Sequence, residues 1–282
     1  MNSIEIRGVT KRYRDFTLND LNLTLPEGCI LGLVGENGAG KSTAIRLIMD
    51  ALTRDTGEIT VLGVNNWSRE FRQVRDDVGV VLDETCVPEF ITARQFGRIM
   101  ADTYRRWDQA AYEGWLKRFG LPQDKKFKEY SRGMTMKLAI AGALSHNARL
   151  LLLDEATSGL DPMVREELLE VFRDFADQPG HAVLLSSHIV SDLERVCDYI
   201  AFLHKGRLLL CEEKDVLLDR YGLLKCGRGD LERIDPAAIH GKRVGAYGAE
   251  ALVERDLVPS GLLVEKAALE DIILYLSKEK MK

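Results

Sequence analysis

Gly35-Glu36-Asn37-Gly38-Ala39-Gly40-Lys41-Ser42-Thr43 is the stretch on which the fold turns. It matches G-x-x-x-x-G-K-[ST], follows the apolar run Ile30 to Val34 and precedes the helix-compatible Ala44 to Met49. Strand, loop and helix in that order are the setting the motif requires. Its glycines let successive backbone N–H groups converge on phosphate oxygens, and the N-terminus of the next helix adds partial positive charge. Lys41 is set to reach the outer phosphates and the Ser42 hydroxyl to ligate Mg2+. The loop specifies a nucleoside triphosphate and leaves the reaction open.

A second apolar run, Leu150 to Leu153, ends in Asp154-Glu155. Two carboxylates at the C-terminal end of a buried parallel strand lie where ligands collect in open α/β sheets. Asp154 suits direct or outer-shell Mg2+ binding, and Glu155, one residue on, is placed to polarise an attacking water. Ile4/Ile6, Leu21/Leu23/Leu25 and Ile59/Val61 alternate as half-buried antiparallel strands do. From about Thr92 to Ala148 the spacing turns helical, with Phe96, Ile99, Met100 and Tyr104, then Trp115, Leu116 and Phe119, then Leu138, Ile140 and Ala141. The run Ala182 to Leu185, separated from Leu153 by the helical stretch Met163 to Ala176, completes a parallel sheet with crossover helices. A last strand, Arg207 to Cys211, leads into a Gly-rich, weakly periodic stretch from Tyr221 to Gly261 and a helical close, Ala268 to Leu276.

Tyr130-Ser131-Arg132-Gly133-Met134 lies upstream of the acidic pair, Ser158-Gly159-Leu160-Asp161 downstream of it, and His188 after the next apolar run. This series resembles the ATP-binding-cassette (ABC) ATPases over nearly all of residues 1 to 215. The resemblance implies an α/β P-loop NTPase fold of ABC type: a mixed sheet core, an antiparallel β subdomain, a helical subdomain at about 86–148 and a small C-terminal α+β extension, 216–282. It makes Gly35 to Thr43 the Walker A loop and Asp154 and Glu155 the Walker B pair. Ser131 to Met134 becomes the signature segment, Ser158 to Asp161 the D-loop and His188 the switch histidine, a hydrogen-bond donor to the γ-phosphate. Tyr13 matches the family's adenine-stacking aromatic, with Phe16 as the competing choice. ATP and Mg2+ are the implied ligands. Lys41 and the Walker A loop of one molecule are expected to close on ATP against Ser131 and Gly133 of a second cassette, identical or related. A separate membrane permease would then be rocked to drive transport, in the direction of export.

The chain departs from the family pattern at two places. Arg132 and Met134 stand where the signature usually has a second glycine and a glutamine, a form similar to the ATPases of ABC-2-type exporters; Leu269-Glu270-Asp271-Ile272-Ile273 resembles the same group. Asp83, in Val80-Val81-Leu82-Asp83-Glu84, stands where the family places a glutamine that links Mg2+ and water to the helical region. Aspartate is shorter but remains an oxygen ligand for a hard cation, so Asp83 is expected in or near the Mg2+ shell.

Composition bounds the alternatives. With 282 residues, 45% hydrophobic and 29% charged, the chain reads as an ordinary globular protein. No apolar run approaches the roughly 18 residues of a membrane span, and no secretory leader is evident, so the cytoplasm, at the inner face of the membrane through the permease, is the expected location. Cys29, Cys86, Cys197, Cys211 and Cys226 form no CxxC pair and read as reduced thiols. A net charge of -5 gives no global field for nucleic acid, and the basic clusters Lys11 to Arg14 and Arg105-Arg106 read as solvated faces. Long coiled-coil insertions or tandem cassettes, which would suit a cassette acting on nucleic acid or ribosomes, are lacking. A non-hydrolysing sensor is disfavoured by the joint presence of Lys41, Asp154, Glu155 and His188.

Overall fold

A computed structural model describes residues 1–83, 87–231, 233–245 and 248–279. Cys86, at the expected start of the helical subdomain, lies outside them, and Cys29, Cys197, Cys211 and Cys226 are free thiols.

Chain order begins with β1 (Asn2–Arg12), β2 (Thr17–Pro26), β3 (Ile30–Val34), α1 (Lys41–Ile48), β4 (Thr56–Val61), β5 (Val64–Asn65), α2 (Phe71–Val74) and β6 (Val78–Val81). A helical segment follows: α3 (Ala93–Thr103), α4 (Gln109–Arg118) and α5 (Arg132–Leu144). The chain then returns to sheet and crossover helix through β7 (Leu150–Asp154), α6 (Pro162–Ala176), β8 (Ala182–Ser187), α7 (Val190–Val196), β9 (Tyr199–His204) and β10 (Arg207–Glu213). It closes with α8 (Lys214–Arg220), β11 (Tyr221–Cys226), α9 (Arg228–Leu231), β12 (Ile239–Val244), β13 (Ala249–Glu254), β14 (Val264–Lys266) and α10 (Leu269–Glu279).

The central sheet runs β10-β9-β3-β8-β7-β6. All its neighbours are parallel except β10, which pairs antiparallel with β9 at the edge. Every residue of β3, β7 and β8 is buried, which is why these strands read as unbroken apolar runs. Alternate residues supply two cores. Leu31, Leu33, Leu150, Leu152 and Leu184 face a layer closed by α1 and by the antiparallel sheet β2-β1-β4-β5. Ile30, Val34, Leu151, Leu153, Val183 and Leu185 face the other layer, built from α3 to α7.

In the helical segment Phe96, Leu116, Leu138, Ile140 and Ala141 are buried as their spacing requires. Ile99 is not: it is 49% exposed, because α3 turns Ala93, Phe96 and Gly97 to the core and Ile99 falls outside that stripe. The α5 helix begins at Arg132, where Ser131 caps it by accepting from the Met134 amide at 3.2 Å. The Arg105-Arg106 cluster is ion-paired to Asp76 and Asp77, and Lys11 to Asp55.

Candidate functional site

The phosphate loop leaves β3 and enters α1 through two glycines with positive φ, Gly38 at 82° and Gly40 at 111°. Gly40 is also sterically required: a Cβ there would meet Phe16 Cζ at 2.9 Å. As the N-cap of α1 it offers no side chain to the first amides of the helix, so those donors and the positive end of the dipole face outward. Lys41, only 5% exposed, lies back along the loop, donating to Gly35 O at 2.6 Å and Glu36 O at 3.3 Å. Its ammonium sits 3.0 Å from Glu155 Oε1.

Glu155 is held in an unusual way. Its φ is 51°, in the left-handed region that costs a non-glycine residue about 1 kcal/mol. The conformation is fixed by its amide, which donates to Ser186 O at 3.1 Å and Ser186 Oγ at 3.2 Å. Ser186 Oγ in turn donates to Asp154 Oδ1 at 2.6 Å, so one hydroxyl at the end of β8 orients both acidic residues at the end of β7. The far oxygen of Glu155, Oε2, pairs with His188 Nδ1 at 2.7 Å. Lys41, Glu155 and His188, which the sequence singled out separately, thus form one contiguous line.

A cavity of about 560 Å³ opens beside this line, walled by Asp15, Phe16, Glu36, Asn37, Gly38, Gly40, Lys41, Ser42, Thr43, Asp83 and Glu155. Phe16, the alternative aromatic, belongs to the wall. Tyr13 does not; it is 43% exposed, and its ring centroid lies 6.3 Å from that of Phe16. Gly35 and Ala39 are buried beneath the loop, and Gly35 admits no side chain because a Cβ would overlap the Leu203 carbonyl. Ser131, Gly133 and Asp161 stand apart from the wall among the described residues. Ser131 and Asp161 cap α5 and α6, Asp161 Oδ1 accepting from the Val164 amide at 3.0 Å.

Asp83 is engaged by its own chain: Arg132 Nη2 donates to Asp83 Oδ1 at 2.8 Å, and Arg132 Nε donates to Ser158 O at 3.1 Å. Two of the three positions at which the chain departs from the family pattern, Asp83 and Arg132, are therefore bonded to each other. That pairing and the role of Ser186 were missed in the sequence. For Ser186 the only signal was a small hydroxyl residue near a strand end, two positions before His188.

Amides at a helix start, a buried ammonium and carboxylates at parallel strand ends form an anion-binding wall with a base beside it, which suits a triphosphate and its hydrolysis. The comparisons agree. The ABC transporter family model matches residues 18–158. The chain is 32% identical over 209 residues to the bacitracin transport ATP-binding protein BcrA of Enterococcus faecalis, covering 73% of this chain and 68% of that one. It is 37% identical over 224 residues to the Nod factor export ATP-binding protein I of Rhizobium meliloti (strain 1021), covering 77% and 66%. A solved ATP-binding subunit of an ABC transporter superposes with a TM-score of 0.69 at 27% identity, covering 76% of this chain and 91% of that one. The chain belongs to the ABC transporter family and is an ATP-binding subunit of it, an ATPase.

Proposed function

We propose that the cavity takes ATP with Mg2+, that the site is completed by the signature segment of a second cassette, and that the dimer drives a separate membrane permease, in the direction of export. The observation that carries this reading is the continuous line Lys41–Glu155–His188, whose Lys41 and Glu155 belong to the cavity wall. In it Lys41 and the amides from Gly38 to Thr43 hold the phosphates, with Gly35 and Ala39 shaping the loop beneath them. Asn37 stands on the open side, and Tyr13 and Phe16 flank the adenine. Glu155 polarises the attacking water, its carboxylate aimed by Lys41 on one oxygen and His188 on the other. His188 passes a hydrogen bond to the γ-phosphate.

The Ser42 hydroxyl, the Asp154 carboxylate fixed by Ser186, and Asp83 on the wall make a hard-oxygen set that fits Mg2+. Bound there, the cation would supply neutralisation of phosphate charge. Ser131, Gly133 and Asp161 lie outside the wall of their own chain's cavity among the described residues, which supports their acting on a partner's nucleotide. No described helix is long and apolar enough to cross a membrane. The membrane-spanning work therefore falls to the permease, which would hold the ATPase at the cytoplasmic face. Residues 216–282 are proposed as an accessory domain.

Glu155→Gln is the direct test. It keeps the shape and removes the base, so turnover should fall about 10²- to 10⁴-fold while ATP traps a dimer detectable by size-exclusion chromatography with light scattering. Unchanged turnover removes Glu155 from its role. A strictly monomeric variant saturated with ATP, with and without co-purified membrane protein, ends the shared-site reading.

A further inference from the structure

Asp83 places a carboxylate on the wall of a cavity that receives a polyanion. In a partly enclosed site that charge repels phosphate more strongly than it would in open water. The structure supplies a counter-charge from the same chain: the Arg132 guanidinium, whose Nη2 lies 2.8 Å from Asp83 Oδ1. The guanidinium reaches a third segment as well, donating from Nε to Ser158 O at 3.1 Å. It packs against Gly159, whose φ is 68° and where a Cβ would meet Arg132 Nε at 3.3 Å. One side chain at the first residue of α5 thereby touches the loop after β6 and the turn between β7 and α6. Both partners of the ion pair are about half exposed, 48% for Asp83 and 54% for Arg132. Such a pair adds little to fold stability, so its consequence lies at the cavity.

We propose that Arg132 is a positioning residue for nucleotide binding: it neutralises and orients Asp83 so that a polyphosphate can lie beside that carboxylate, while its bond to Ser158 ties the start of α5 to the β7–α6 turn. Asp83 and Arg132 form one device, and changing either alone leaves an unbalanced charge at the rim. The inference rests on the cavity being the ATP site.

The experiment measures equilibrium ATP binding by calorimetry, with EDTA and with Mg2+, at low and high ionic strength, for the wild type, Arg132→Gln, Arg132→Lys, Asp83→Asn and the double variant Asp83→Asn/Arg132→Gln. The EDTA arm removes any part Asp83 plays as a metal ligand. There, Arg132→Gln should bind ATP about two- to fivefold more weakly, and the deficit should shrink as salt screens the bare carboxylate. Arg132→Lys, which keeps the charge, should recover most of the loss. Asp83→Asn alone should bind at least as tightly as wild type, and the double variant should return to the wild-type value. Wild-type affinity in Arg132→Gln at low salt overturns the proposal, and so does a double variant that binds no more tightly than Arg132→Gln. A wild-type chain that binds no ATP at all refutes the assignment of the cavity instead.

Discussion

Ser186 is the side chain on which the acidic pair depends. It donates to Asp154 Oδ1 at 2.6 Å and accepts from the Glu155 amide at 3.2 Å, in a strand whose residues are all buried. Taking the hydroxyl away in Ser186→Ala leaves a buried carboxylate oxygen short of a donor and loosens the left-handed turn that aims Glu155. An unsatisfied buried group costs about 1–3 kcal/mol, and here the cost falls on the arrangement of the base more than on the phosphate loop. Steady-state hydrolysis should show kcat reduced about tenfold with the KM for ATP changed far less. Equal loss in both would mean that Ser186 serves nucleotide binding. At this scale the sequence was legible where chemistry is written locally. The phosphate loop lies within nine consecutive residues and the acidic pair within two. Ser186 and the Asp83–Arg132 pair were hidden because their partners lie 32 and 49 positions away, and a strand-end serine or a surface arginine fits many roles.

Among the elements, α5 joins the two layers of chemistry, since its start carries Ser131 and Arg132 and its end is anchored beside a buried histidine. His146, 1% exposed, stacks on Tyr104 with ring centroids 4.0 Å apart and lies 3.1 Å through Nδ1 from Asp76 O. A carbonyl accepts, so Nδ1 carries the proton and buried Nε2 has no hydrogen-bond partner. Protonation would add a donor where nothing accepts it, and burial, with Arg106 nearby, holds the His146 pKa below its ordinary value. The sign follows. Above about pH 6.5, where the unfolded histidine is neutral, folded and unfolded chains bind the same number of protons at this site. Below it the unfolded chain takes a proton that the folded one resists, so stability is lost as pH falls through the depressed folded value. Urea midpoints measured from pH 8 to pH 5 should drop more steeply for wild type than for His146→Phe, which keeps an aromatic ring against Tyr104; parallel curves would remove His146 as the cause. Helical spacing announced α3 to α5 as elements. It did not announce that Ile99 faces outward or that His146 is enclosed, because neither a lone isoleucine nor a lone histidine declares its direction.

For the whole molecule the question is whether the C-terminal sheet, ordered β12-β13-β11-β14, is an independent bead or part of one folding unit. Its weak sequence periodicity has a physical source. Tyr221 to Leu224 of β11 is buried on both faces, so the strand shows no alternation. Leu224, Ala251 and Val253 face a small core of their own with Leu231, Ile234 and Ala238. Leu223 and Leu252 instead join the cluster that contains Leu185, Leu193 and Ile200 of the central sheet and α7. The α10 helix closes the seam, packing on β12 and on α7 and contributing Leu269, Ile272 and Tyr275 to that shared cluster. The expected boundary at residue 216 falls inside α8, and the shared apolar contacts run directly across it. A unit of some 60 residues is only marginally stable alone, whereas one sharing a core melts with its neighbour. Ile272 is fully buried, so Ile272→Ala should cost about 2–5 kcal/mol. Differential scanning calorimetry should show a single transition moved to lower temperature, with nucleotide shifting wild type and variant upward together. A separate small transition that moves while the nucleotide-sensitive one stays fixed would overturn the shared core. That result would also free α7, which begins two residues after His188, from any influence of the C-terminal sheet on hydrolysis.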